Sequence, residues 1–198
     1  MFQNGCNTLA LFVHICGILL LFAAIGISSM ALGRWRKSET LAELRLWAGT
    51  AKGVEKLHKI STAAFVLSGL YLAFVGNLWS KGWLIVSIVA TVIQVAMGPL
   101  LLGPSVGAVM KEAGGPPEAP VSPKVRTLIA QSRLWTIHSL MHGVGLGILF
   151  LMVAKPVDMV TSVAIWLGFG ALGAAGSLFK RQAAPAAPVE QKAAEPVA

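Results

Sequence analysis

Four histidines, His14, His58, His138 and His142, lie in or at the edge of strongly apolar stretches. His138 and His142 sit four apart in "LWTIHSLMHGVG", a spacing that puts both rings on one face of a helix. The apolar stretches themselves hold no Asp, Glu, Lys or Arg, so beyond histidine their titratable groups are Cys16 and Tyr71, with Gln94 the main amide. Imidazole titrates near neutrality and is a common metal ligand. An ionisable group inside a membrane is costly and marks a functional site by default. The chemistry this inventory suits is ligation of haem b or copper by His142, His138, His14 and His58. The competing reading is structural, with neutral rings held by hydroxyls such as Ser68 or Ser139.

The elements that must position these rings are membrane helices. Of 198 residues 56% are apolar and only 12% are charged, with a mean hydropathy of +0.74. Apolar runs of about 20 residues, the length that crosses a bilayer as a helix, recur five times. They place spans at about 9–32, 60–79, 83–102, 134–154 and 160–179, in an all-α transmembrane bundle. The residues before the first span carry no Lys or Arg, whereas Arg34, Arg36 and Lys37 follow it. That layout is the reverse of a cleaved signal peptide and predicts a retained anchor.

Between spans one and two, Leu41, Leu44, Trp47, Ala51, Val54 and Leu57 recur at helical spacing after a Thr40/Glu43 capping box. This predicts a separate amphipathic helix over 40–58, lying on the membrane surface or packed on the loops. Pro99 should kink or end span three, and 103–122 reads as a Gly/Pro-rich loop. Ser122-Pro123 reads as a helix start. The Ala/Pro-rich tail 182–198 reads as disordered.

The net charge of +8 comes with no nucleic-acid motif, and its distribution suits the bilayer as partner instead. The segment between spans one and two carries seven basic residues, the three–four loop four and the tail three. The N-terminal segment has none, and the other two loops one each. This alternation predicts an outside N-terminus and a cytoplasmic C-terminus in a cell membrane, the bacterial inner membrane being the expected one. Cys6 and Cys16 are too far apart on one helix to be bridged, so both should be free thiols.

Depths along the helices pair His58 with His138 and His14 with His142. Because His138 and His142 rise only about 6 Å apart, they cannot serve two macrocycles, and one haem with one of the two as axial ligand fits better. Gly145 and Gly69 would leave open surface beside it, and Arg133, Lys59 and Lys56 could meet its propionates. Copper would draw on Met141, Met97, Met30 and Cys16, although no Met-x-x-Met or Cys-x-x-Cys cluster occurs. "HSLMH" lacks the glutamate of a zinc-protease helix, and no phosphate loop or serine-hydrolase elbow is present. Small-solute transport and a non-catalytic scaffold subunit remain as alternatives, and the composition does not decide whether the chain is an enzyme.

The passages "LALFVHICGILLLFAAIG" and "HKISTAAFVLSGLYLAFVGNLWSKGWLIVSIVATVIQ" resemble small bacterial membrane proteins of unknown function. Those belong with the membrane domain of the copper-resistance protein D and the membrane-bound protoporphyrinogen oxidase of haem synthesis. The likeness covers roughly residues 9–155. It implies a four-helix core plus one, span five being the addition, with haem b or copper bound by histidine and His14 matching the family's first-span histidine. Besides the bilayer, the partner to expect is a redox partner or a membrane complex. The oxidase relatives carry a basic residue in a later span, and spans three and five have none here.

Overall fold

The computed structural model describes residues 5–182, and these form helices and their connections with no strand. The elements are α1 (Gly5–Trp35), α2 (Leu41–Val75), α3 (Gly82–Met97), a π-helical turn (Gly98–Leu102), α4 (Gly103–Glu112), α5 (Pro123–Ala130), α6 (Ser132–Ala154) and α7 (Met159–Gln182). The tail expected to be disordered lies, beyond Gln182, outside the described residues. Among the described residues five helices are long and apolar enough to cross a membrane: Gly5–Trp35, Leu41–Val75, Gly82–Glu112, Pro123–Ala154 and Met159–Ser177. The architecture is that of an all-α, multi-pass membrane protein.

α1 and α2 form an antiparallel pair in contact along its length. Tyr71 Oη donates to Asn7 Oδ1 at 3.1 Å near one end, and Trp35 Nε1 donates to the Leu44 carbonyl at 3.0 Å near the other. Between them Gly17 lies so close to α2 that a Cβ there would fall 2.8 Å from the Phe65 nitrogen. α6 and α7 make a second close pair across Gly143 and Gly173, where a Cβ on Gly143 would run into the Phe169 carbonyl and the Gly173 backbone. Thr136 and Ser177 hydroxyls meet at 3.1 Å on the same seam.

Three expectations are corrected. The amphipathic segment 40–58 and span two are one 35-residue helix, α2, because no helix breaker separates them and the apolar face of its first turns has a protein partner. Span three does not end at Pro99, one of the two outcomes expected there, but continues through a local π-turn. Pro99 lacks the donor an α-helix needs, and the turn widens so that the Gly103 N–H reaches the Gly98 carbonyl instead. Residues 103–112, expected as loop, continue that line as α4, with Pro104 in its first turn.

Around the α1–α2 turn a compact apolar cluster forms. Trp35, Leu41, Leu44, Val109, Val125 and Ile129 are its buried members. Thr40 caps α2 by accepting from the Glu43 N–H at 3.3 Å, while Glu43 Oε2 accepts from the Glu39 N–H at 2.9 Å. The first free amides of α2, those of Leu41 and Ala42, donate to the carbonyls of Ala119 and Pro117. Arg45 ties the same region together, donating to the Ala113 and Gly115 carbonyls at 2.8 and 2.6 Å. Ser122 caps α5 by accepting from the Val125 N–H, as its sequence context predicted.

Candidate functional site

His138 and His142 project from α6 with ring centroids 4.4 Å apart, edge to face. The His142 Nδ1 lies 2.6 Å from the His138 carbonyl. A carbonyl only accepts, so Nδ1 carries the proton, and in the neutral ring Nε2 keeps its lone pair. That lone pair faces Ser29 of α1, whose Oγ is 2.8 Å away. Ser29 and His142 lie on the wall of a cleft of about 260 Å³ between α1 and α6, open at the helix surface. Its other walls are apolar, chiefly Phe22, Ile25 and Leu146, with Gly26 and Gly145 providing flat backbone.

His138 is buried and touches Trp135 edge-on at 6.4 Å, and the Arg36 guanidinium lies 4.6 Å over the Trp135 ring. A continuous column thus runs Arg36, Trp135, His138, His142. Ser29 and Arg36 were not singled out in the sequence. Ser29 sits 113 residues from its partner, and Arg36 reads as an ordinary topology-setting charge.

The expected pairing of His14 with His142 does not occur. His14 packs on α2, where its Nδ1 donates to the Phe65 carbonyl at 2.7 Å and lies 3.4 Å from Ser68 Oγ. Fifteen residues of α1 separate His14 from Ser29, about 22 Å of helical rise, so one group cannot take both His14 and His142 as ligands. The His58 Nδ1 hydrogen-bonds within its own helix, to the Val54 carbonyl at 3.3 Å. Lys59, expected near a propionate, pairs with Glu55 at 2.6 Å on an exposed face.

The open surfaces expected at Gly69 and Gly145 are occupied. The His14 ring fills the space over Gly69, and the Gln94 amide abuts Gly145. Gly145 still presents its backbone to the cleft. Ser139, a candidate histidine partner, has a buried Oγ without a hydrogen-bond partner among the described residues, as does the Gln94 Oε1.

The residues suit a haem held by one imidazole and do not suit a bis-histidine haem. His142 has the second-ring-nitrogen anchor that fixes a ligating histidine, apolar walls beside Nε2, and cationic Arg36 toward the end of the column. Among the described residues no three His, Cys, Asp or Glu side chains converge as a metal site. The Met141 methyl lies near Gly98, Met30 is exposed, and Cys16 is a half-buried free thiol.

Comparison with protein-family models, with curated proteins and with solved structures gives no match.

Proposed function

We propose that the protein is a multi-pass protein of the bacterial inner membrane that holds one haem b through His142 and serves electron transfer. The observation that carries this reading is the state of His142. Its Nδ1 proton is committed to the His138 carbonyl, and its Nε2 lone pair faces the Ser29 hydroxyl on the wall of an otherwise apolar cleft. Phe22, Ile25 and Leu146 would hold the macrocycle by apolar contact, and Arg36, over the Trp135 ring, is a cationic candidate for a propionate. The bound group would supply one-electron chemistry. What the chain supplies is orientation of the ligating nitrogen, exclusion of water by the apolar walls, and the Trp135–His138 column toward Arg36. The resemblance to haem- and copper-associated membrane proteins points the same way.

Detergent-purified protein expressed with excess haem should show a Soret band. His142→Ala should abolish it, while His14→Ala and His58→Ala should leave it in place. His138→Ala keeps the carbonyl that anchors Nδ1, so it should weaken haem retention without abolishing it. A colourless protein overturns the reading. Copper without iron on elemental analysis would replace it with a copper carrier, and neither metal would leave a scaffold role.

A further inference from the structure

The Ser29 hydroxyl has one proton and two acceptors within reach. Its Oγ lies 2.7 Å from the Ile25 carbonyl, one turn earlier in α1, and 2.8 Å from His142 Nε2. The Nδ1 of that ring already donates to the His138 carbonyl, so Nε2 of the neutral ring has only a lone pair to offer. The serine proton therefore serves either the imidazole or the carbonyl.

We infer that Ser29 is a positioning residue that covers the Nε2 lone pair of His142 when the cleft is empty and turns to the Ile25 carbonyl when a ligand takes that nitrogen. The lone pair that accepts the serine proton is the same one that would bind iron, so the two uses exclude each other. Turning the proton alone would leave Oγ 2.8 Å from Nε2, so the side chain must change rotamer, and a helical serine can bond the carbonyl three or four residues earlier as it does so. Without the hydroxyl, Nε2 would face apolar walls with its lone pair unpaired, a state that costs free energy. Ser29 thus lowers the intrinsic reactivity of His142 and keeps the empty cleft stable. The inference rests on the haem reading for the identity of the ligand, and on the geometry alone for the pairing.

The test is ethoxycarbonylation of the imidazoles by diethyl pyrocarbonate in the full-length, detergent-purified apo-protein, read residue by residue by mass spectrometry. An unprotonated ring nitrogen with a free lone pair attacks a carbonyl of the reagent, forming an N-ethoxycarbonyl bond while ethyl carbonate leaves as ethanol and carbon dioxide. Ser29→Ala should raise the rate at His142 roughly threefold to tenfold, the range of one net hydrogen bond, relative to His14 as internal reference. Threonine and valine have the same shape and differ in the hydroxyl. Ser29→Thr should therefore stay near the wild-type rate and Ser29→Val should match Ser29→Ala. Equal rates for the threonine and valine variants, or no change in any variant, overturn the inference. In haem titrations Ser29→Ala should bind tighter by a similar factor. Faster labelling without any Soret band would refute the haem reading and leave the Ser29–His142 pairing standing.

Discussion

The His14 ring occupies the space left by the missing side chain of Gly69: a Cβ built on that glycine would lie 2.8 Å from His14 Cε1. The glycine is what lets the imidazole lie against α2 and reach the Phe65 carbonyl. Gly69→Ala should therefore displace the ring and cost about 1–3 kcal/mol, the range for overpacking. In the His14→Ala background the same substitution should cost under about 0.5 kcal/mol, since the clash is gone. Thermal unfolding of the four proteins in one detergent checks this. An additive pair of effects would show that the contact does not govern stability.

The α6–α7 seam predicts a sharp contrast among glycines. Gly143→Ala puts a methyl onto the Phe169 carbonyl and the Gly173 backbone, neither of which can turn aside. A loss of about 3 kcal/mol or more is expected, since backbone atoms must separate. Gly168 and Gly176 have open space at the Cβ position, so Gly168→Ala and Gly176→Ala should be neutral or stabilising by up to about 1 kcal/mol. Unfolding midpoints of the three variants decide it.

Asp158 caps α7. Its Oδ1 accepts from the Thr161 N–H at 2.7 Å, and this bond, with help from the Thr161 hydroxyl, holds the carboxyl below its ordinary range. Folding thus lowers the proton affinity of this group. Its stabilising contribution is complete at neutral pH and is lost as the pH falls through the ordinary carboxylate range toward the lowered value. Asp158→Asn keeps an acceptor and removes the titration. The stability difference between wild type and variant should therefore shrink on acidification from pH 7 to pH 3. A difference that is constant across this range would mean the carboxylate charge contributes nothing.

Orientation follows from the basic segments. With Arg34, Arg36, Lys37 and Lys111 toward the cytoplasm, Cys6 should face outside. Cys6 is exposed and free. In a Cys16→Ser background a membrane-impermeant maleimide should label Cys6 in cells whose outer envelope alone is opened, and a reporter fused after Ala198 should score as cytoplasmic. Labelling only after lysis of the inner membrane would invert the arrangement and put Arg36 on the opposite side.

Fold class was legible in the sequence because it depends on local quantities: run length, apolar content and terminal residues. Five apolar runs became five helices of spanning length, and Thr40 and Ser122 cap the helices they precede. A cap needs only the next turn of backbone, which is why three residues suffice to read it. What happens at Pro99 was not legible. Whether a proline ends a helix or widens it into a π-turn depends on what the following residues pack against, and here Val109 is buried against Trp35, Leu44 and Val125. Likewise 40–58 reads as amphipathic from its own period, but only its neighbours decide that its apolar face meets protein.

The site divides along the same line. The four-residue spacing of His138 and His142 places their rings together in any helix, and the structure brings them to 4.4 Å. Which partners the histidines find is a matter of how whole helices register. Depth arithmetic along isolated spans set His14 beside His142. The close approach of α1 to α2 at Gly17 and Gly69 instead gives His14 to α2, and Ser29, 15 residues further along α1, is what meets His142. Sequence determined the membrane class and the presence of a paired-histidine face. Tertiary structure alone decided that a serine hydroxyl, shared with the Ile25 carbonyl, faces the free nitrogen, because that contact joins residues 113 apart through the packing of two helices.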